Sequence, residues 1–133
     1  MFYDFSLTIP ANTPQSSPQR QRIKLTQGVI HKVEIQFPSG CAGLVHVLIR
    51  DLEQQVWPTN RDGSFASDNY VISFIEFYEL KEPPYEFELE GWNEDDTFDH
   101  TITFRFGVLP REALEPYREQ MSFLERFRRL VGL

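Results

Sequence analysis

One cysteine in 133 residues, Cys41, leaves no partner for an intramolecular disulfide. The fold must then hold by packing, and the chain is compatible with a reducing compartment. Long apolar runs are missing as well: no stretch approaches the ~18 residues of a membrane-spanning helix, so no membrane partner is expected. The first residues, Met1-Phe2-Tyr3-Asp4-Phe5, carry neither a basic n-region nor an apolar core, and no signal peptide is expected. Positive charge is scarce, 13 Lys and Arg against 20 Asp and Glu, which gives a net charge of −7 and a pI near 4.9. That balance argues against nucleic acid as the principal partner. Catalytic signatures are equally scarce. There is no G-x-S-x-G, no glycine-rich phosphate loop, and no carboxylate pair that sequence alone places in a cleft. The expectation is a protein that is not an enzyme, with no catalytic residue, no cofactor and no metal.

What the chain does have is apolar and aromatic residues, 41% hydrophobic and 14% aromatic with 12 Phe. A disordered chain does not look like this. The length suits one domain that buries about two thirds of its unfolded surface. Period-2 alternation marks the strands. Phe5, Leu7 and Ile9 share one face of the first, and Ile23 and Leu25 one face of the second. In Val29–Phe37 the residues Val29, His31, Val33, Ile35 and Phe37 are expected to point one way, and Lys32, Glu34 and Gln36 the other. Leu44–Arg50 is apolar on both faces and belongs deeper in a sheet. The short connection Pro38–Gly43 makes these two runs a central hairpin on this reading. A short strand falls near Leu52–Trp57. Val71–Leu80 is apolar on both faces, which suggests a central or an interface position. Tyr85-Glu86-Phe87-Glu88-Leu89-Glu90 alternates most cleanly, and Thr101–Val108 closes the set with Ile102, Phe104 and Phe106 inward. Seven or eight short strands point to an all-β fold, an antiparallel β-sandwich of jelly-roll or Ig-like type spanning residues 1–109.

Beyond Leu109-Pro110 the pattern becomes helical, and residues 110–133 read as a C-terminal amphipathic α-helix used for docking or oligomerisation. Its acidic residues come early and its arginines late, in the order that complements the helix dipole. Residues 111–133 hold five Arg against four Glu, whereas the body is acidic. A wide apolar stripe needs a surface to bury it. Tyr117, Met121, Phe123, Leu124, Phe127, Leu130 and Val131, with Arg126 and Arg129, are the candidate partner-binding residues. The Pro-rich loop 10–19, with three Pro in nine residues, is a second candidate contact.

Other chemistry has a plainer reading beside each sharp one. Glu94-Asp95-Asp96 with Asp99 and His100 offers calcium-type oxygens but lacks EF-hand spacing, and a solvated hairpin turn is preferred. His31 and His46, as cross-strand neighbours of the central hairpin, would make half a metal site; structural histidines are preferred. Cys41 has no activating neighbour in sequence and reads as inert. Trp57, Trp92, Tyr70, Tyr78 and Tyr85 could stack on sugar rings as a carbohydrate-binding module would. Core or edge packing is preferred for them, with a glycan as partner only in that alternative.

Three stretches carry a family resemblance: Phe5-Ser6-Leu7-Thr8-Ile9-Pro10-Ala11-Asn12-Thr13, Gly28-Val29-Ile30-His31-Lys32-Val33-Glu34-Ile35, and Gly40-Cys41-Ala42-Gly43-Leu44-Val45-His46-Val47. With Trp92-Asn93-Glu94-Asp95-Asp96-Thr97 and Val108-Leu109-Pro110 they resemble small β-sandwich virion proteins of tailed phages and related prophages. The resemblance covers residues 1–110 and implies a structural role: a capsid or head-associated decoration or vertex module. It further implies localisation to a virion assembled in the host cytoplasm, with other virion proteins or a second copy of itself as partners and no active site to carry over.

Overall fold

The computed structural model describes residues 1–113. Of the expected C-terminal helix only residues 110–113 fall in that range; residues 111–113 are helical and Pro110 is not. The proposed contact residues Tyr117, Met121, Phe123, Leu124, Arg126, Phe127, Arg129, Leu130 and Val131 lie outside the described residues.

The alternating runs form eight strands: β1 (Phe2–Ile9), β2 (Gln19–Lys24), β3 (Gly28–Phe37), β4 (Val45–Asp51), β5 (Gln54–Trp57), β6 (Tyr70–Leu80), β7 (Glu86–Asn93) and β8 (His100–Leu109). They make two four-stranded antiparallel sheets, β1-β8-β3-β6 (sheet A) and β2-β7-β4-β5 (sheet B). The pairs β1 with β8, β2 with β7, β3 with β6 and β4 with β5 nest inside one another. That is the winding of a jelly roll. The apolar faces meet between the sheets, with Leu7, Ile9, Ile23, Ile35, Phe104 and Leu89 each at most 2% exposed.

This topology corrects the reading of Val29–Arg50 as a central hairpin. Strands β3 and β4 lie in different sheets, and Pro38–Gly43 carries the chain across the sandwich. Gly40 (φ 106°), Ala42 (φ 51°) and Gly43 (φ 73°) take left-handed backbone that reverses it in few residues. Among the described residues the only consecutive strands that pair are β4 and β5. As expected from its apolar faces, β4 is an interior strand. The equally apolar β6 is instead an edge strand.

A second correction concerns the face of β3. A register shift between Ile30 and Lys32 inserts His31 as an extra residue opposite β8. The parity flips there. Ile30 joins Val33, Ile35 and Phe37 in the core, while His31 turns outward with its ring over Gly107, so close that a Cβ there would lie 2.7 Å from Nε2.

The centre of the core is aromatic. Trp57 meets Phe87 edge-on, with centroids 5.5 Å apart and an interplanar angle of 80°, and Tyr78 at 5.4 Å; Phe87 lies 5.7 Å from Phe106. The polar ends of these rings reach the rim, where Trp57 Nε1–H donates to Glu76 Oε2 at 2.9 Å and Tyr78 O–H to Asp51 Oδ2 at 2.5 Å. Burial and that carboxylate push the Tyr78 hydroxyl far above the ordinary tyrosine range. Phe106 touches both sheets, so Phe106→Ala is expected to cost about 3–5 kcal/mol of unfolding free energy in urea titration. A loss below about 1 kcal/mol would mean that the aromatic centre is not what joins the sheets.

Candidate functional site

The outer face of sheet B carries charge. In register, Arg20 of β2 lies opposite Glu90 of β7, and Glu90 opposite Leu48 of β4. Glu90 has a side chain only 5% exposed and receives two guanidinium groups: Arg20 Nε at 3.0 Å and Arg50 Nε at 3.3 Å on the same Oε1, with Arg50 Nη2 on Oε2 at 3.4 Å. Arg20 also approaches Glu88 and Arg22 approaches Glu86. Beside this ladder lies an open concavity of about 1170 Å³ lined by four arginines, Arg20, Arg22, Arg50 and Arg61, and by four acidic residues. Three of the four arginines already hold carboxylates. The surface is balanced in charge and suits cross-strand cohesion better than capture of an anion.

At one end of the sandwich the turn between β7 and β8 is fixed by its own side chains. Asn93, 1% exposed, donates from Nδ2 to the carbonyls of Ile9 and Phe98 and accepts Asp95 N–H on Oδ1. Asp95 Oδ1 accepts the amides of Thr97 and Phe98, and its Oδ2 meets His100 Nε2 at 2.8 Å. Asn12 N–H donates to the Asp95 carbonyl, and Ala11 N–H to Asp99 Oδ1, which ties down the start of the Pro-rich loop. The His100 hydrogen bond, and then the Thr97 amide, hold the Asp95 carboxyl below its usual range. These acidic groups hold a turn together. Among the described residues no three His, Cys, Asp or Glu side chains converge as metal ligands would.

The remaining candidates are dispersed. His31 and His46, expected as cross-strand neighbours, sit on opposite outer faces because β3 and β4 belong to different sheets. Burial, the N-terminal ammonium and Lys32 lower the His31 pKa. The His46 ring stacks on Trp92 at 5.1 Å and 5°, with Nδ1 2.9 Å from Ser64 Oγ. Cys41 is fully buried, and that burial, with Asp68 and Asp95 nearby, pushes its thiol pKa up, against nucleophilic use. Trp57 is 3% exposed and Trp92 7%, so neither offers a free face for a sugar ring; Tyr70 is 61% exposed but stands on another strand.

The outer face of sheet A is different. Its middle rows are polar: Asp4, Arg105, Glu34 and Ser73 lie in line across the four strands, with Arg105 bound to Asp4 at 3.4 Å and to Gln36 at 2.7 Å. Towards the β6 edge it turns apolar, and Ile75 (85% exposed) and Val71 face solvent. The residues were visible in sequence as a strand apolar on both faces. Their exposure was not, because it depends on β6 being an edge. No protein-family model matches this chain, and comparison with curated proteins finds no relative.

Two outcomes follow. Glu90→Gln removes the anion between two guanidinium groups and is expected to cost about 1–3 kcal/mol in urea titration, discounted for the exposure of Arg20; an unchanged midpoint would show that the ladder is not cohesive. Asp95 is depressed in the folded state, so its contribution is complete above the ordinary carboxylate pKa and disappears as pH falls through the lower folded value. Asp95→Asn should therefore melt below the wild type at pH 7, with the gap closing in strong acid. A gap independent of pH would assign the loss to shape, not charge.

Proposed function

We propose that this chain is a non-enzymatic structural protein of a phage-like virion, a capsid or head-associated decoration or vertex module that works by protein–protein assembly. The observation that carries this reading is the apolar outer side of β6 at an open sheet edge, with Ile75 85% exposed. A surface of that kind is costly to leave in water and suits a partner chain. The jelly-roll winding adds support, since viral capsid domains use it, although a fold by itself does not decide function. The phrase-like resemblance over residues 1–110 points the same way. Assembly would place the protein in the virion, formed in the host cytoplasm, with other virion proteins or further copies as partners. On this reading residues 110–133, through Tyr117, Met121, Phe123, Leu124, Phe127, Leu130 and Val131 with Arg126 and Arg129, supply a second contact. The glycan-binding alternative draws no support from the burial of Trp57 and Trp92.

The test is compositional. Particles banded on a density gradient from cells that express the gene should contain the chain at a fixed ratio to the main shell protein, by quantitative mass spectrometry. Recovery of the chain only from the particle-free fraction would contradict the proposal.

A further inference from the structure

Among the described residues the sandwich has four edge strands, and three are protected. Strand β2 carries Arg20, Arg22 and Lys24. Strand β5 is four residues long. Strand β1 is tied to the β2–β3 connection, where Tyr3 O–H donates to Thr26 Oγ1 at 3.1 Å. Charge, shortness and coverage are the usual defences of a sheet edge. Strand β6 is the exception: eleven residues, Tyr-Val-Ile-Ser-Phe-Ile-Glu-Phe-Tyr-Glu-Leu, with no Lys, Arg or Pro. Its later half is closed across to sheet B, since the Glu76 carboxylate accepts Trp57 Nε1–H and the Phe77 amide, and Tyr78 reaches Asp51. The half from Tyr70 to Ile75 has no strand beside it on its outer edge among the described residues.

We infer that the Tyr70–Ile75 edge pairs antiparallel with the same edge of a second copy, about a two-fold axis through Ser73, joining two sheets A into one eight-stranded sheet. The inference rests on the assembly reading above and names its partner. The register follows from the residues. In an antiparallel pair, opposed residues point to the same face, so outward Val71, Ser73 and Ile75 must meet outward residues of the partner. An axis at Ser73 sets Val71 opposite the partner's Ile75 twice, with the two serines between them. On the inner face it sets half-buried Ile72 opposite the partner's Phe74 twice. Four apolar cross-strand pairs result, and the pairing stops before the register shift in the later half of β6. Axes displaced by one residue pair Val71 or Ile75 with Ser73 or run into that shift.

The polar groups fit the same arrangement. Lys32 lies beside Ile75, and Gln36 beside Val71. They flank the apolar pairs as a rim. Glu34 lies beside Ser73. The two copies of Glu34 would sit three strand spacings apart, about 14 Å, beyond the Debye length of about 8 Å at physiological salt. A strand-to-strand contact of this size falls at the low end of specific interfaces, below about 1,200 Å². The dimer should therefore form in a concentration-dependent way and be reinforced in a lattice.

Light scattering across a concentration series on the full chain is expected to rise to twice 15.7 kDa. Ile75→Lys and Val71→Lys, both at exposed sites, should remain monomeric with unchanged circular dichroism. Ser73→Cys should form a covalent dimer under mild oxidation, whereas Ser6→Cys on the same outer face should not. A wild type monomeric throughout, a dimer that persists in both lysine variants, or a Ser73→Cys chain that does not cross-link at dimer-forming concentration would each overturn the inference. In any of those cases, continued presence of the chain in purified particles would leave the assembly reading standing.

Discussion

Six of the seven connections between the described strands carry the chain from one sheet to the other, and the rest of the structure follows from that constraint. Strands adjacent in sequence face each other across the core instead of sharing hydrogen bonds. Each must then present an apolar face to the same interior, and the pairing partner of every strand except β4 and β5 comes from elsewhere in the chain. Trp57, Phe87, Tyr78 and Phe106 are drawn from β5, β7, β6 and β8, and they form one aromatic cluster only because the winding brings those four strands to the same level. Such pairings close long loops before they gain stabilising contacts, which makes folding slow relative to a helical domain of similar size.

The polar clusters answer the same constraint at the sheet surfaces and the loop ends. Glu90 joins β2, β7 and β4 on the outer face of sheet B. Asn93 and Asp95 tie the β7–β8 turn to the β1–β2 loop, so the crossings at that end are held by side chains as well as by backbone. The acidic run Glu94-Asp95-Asp96 therefore has a structural use. Charge repulsion within it is offset by the amides of Thr97 and Phe98 and by His100. Strand β6, by contrast, stands at the edge of sheet A with Ile75 exposed.

The strands were legible because alternation at period 2 is local. The inward set of β7, Phe87 and Leu89 against three outward Glu, could be read residue by residue. Pairing was not legible. Nothing in Pro38–Gly43 says whether the next strand returns beside β3 or crosses the core, and the crossing separated His31 from His46. The bulge at His31 was hidden for a different reason: Val29 and Ile30 are equally apolar, so parity alone admits either face, and the room that Gly107 leaves for the outward His31 ring is not visible in the β3 sequence. Apolar residues on both faces marked β4 and β6 alike. One became an interior strand and the other an edge, a difference set by the topology. The candidate site was thus present in the sequence as Val71 and Ile75, without the sign of its exposure.

Assembly through the open edge of β6 is tested by hydrogen–deuterium exchange of the full chain at low and at high protein concentration. Added protection at high concentration is expected to centre on the backbone amides of Tyr70–Glu76, with the amides of β1, β2 and β5 unchanged. A rise in solution mass with no change at Tyr70–Glu76, or with protection gained at β2 instead, would contradict it.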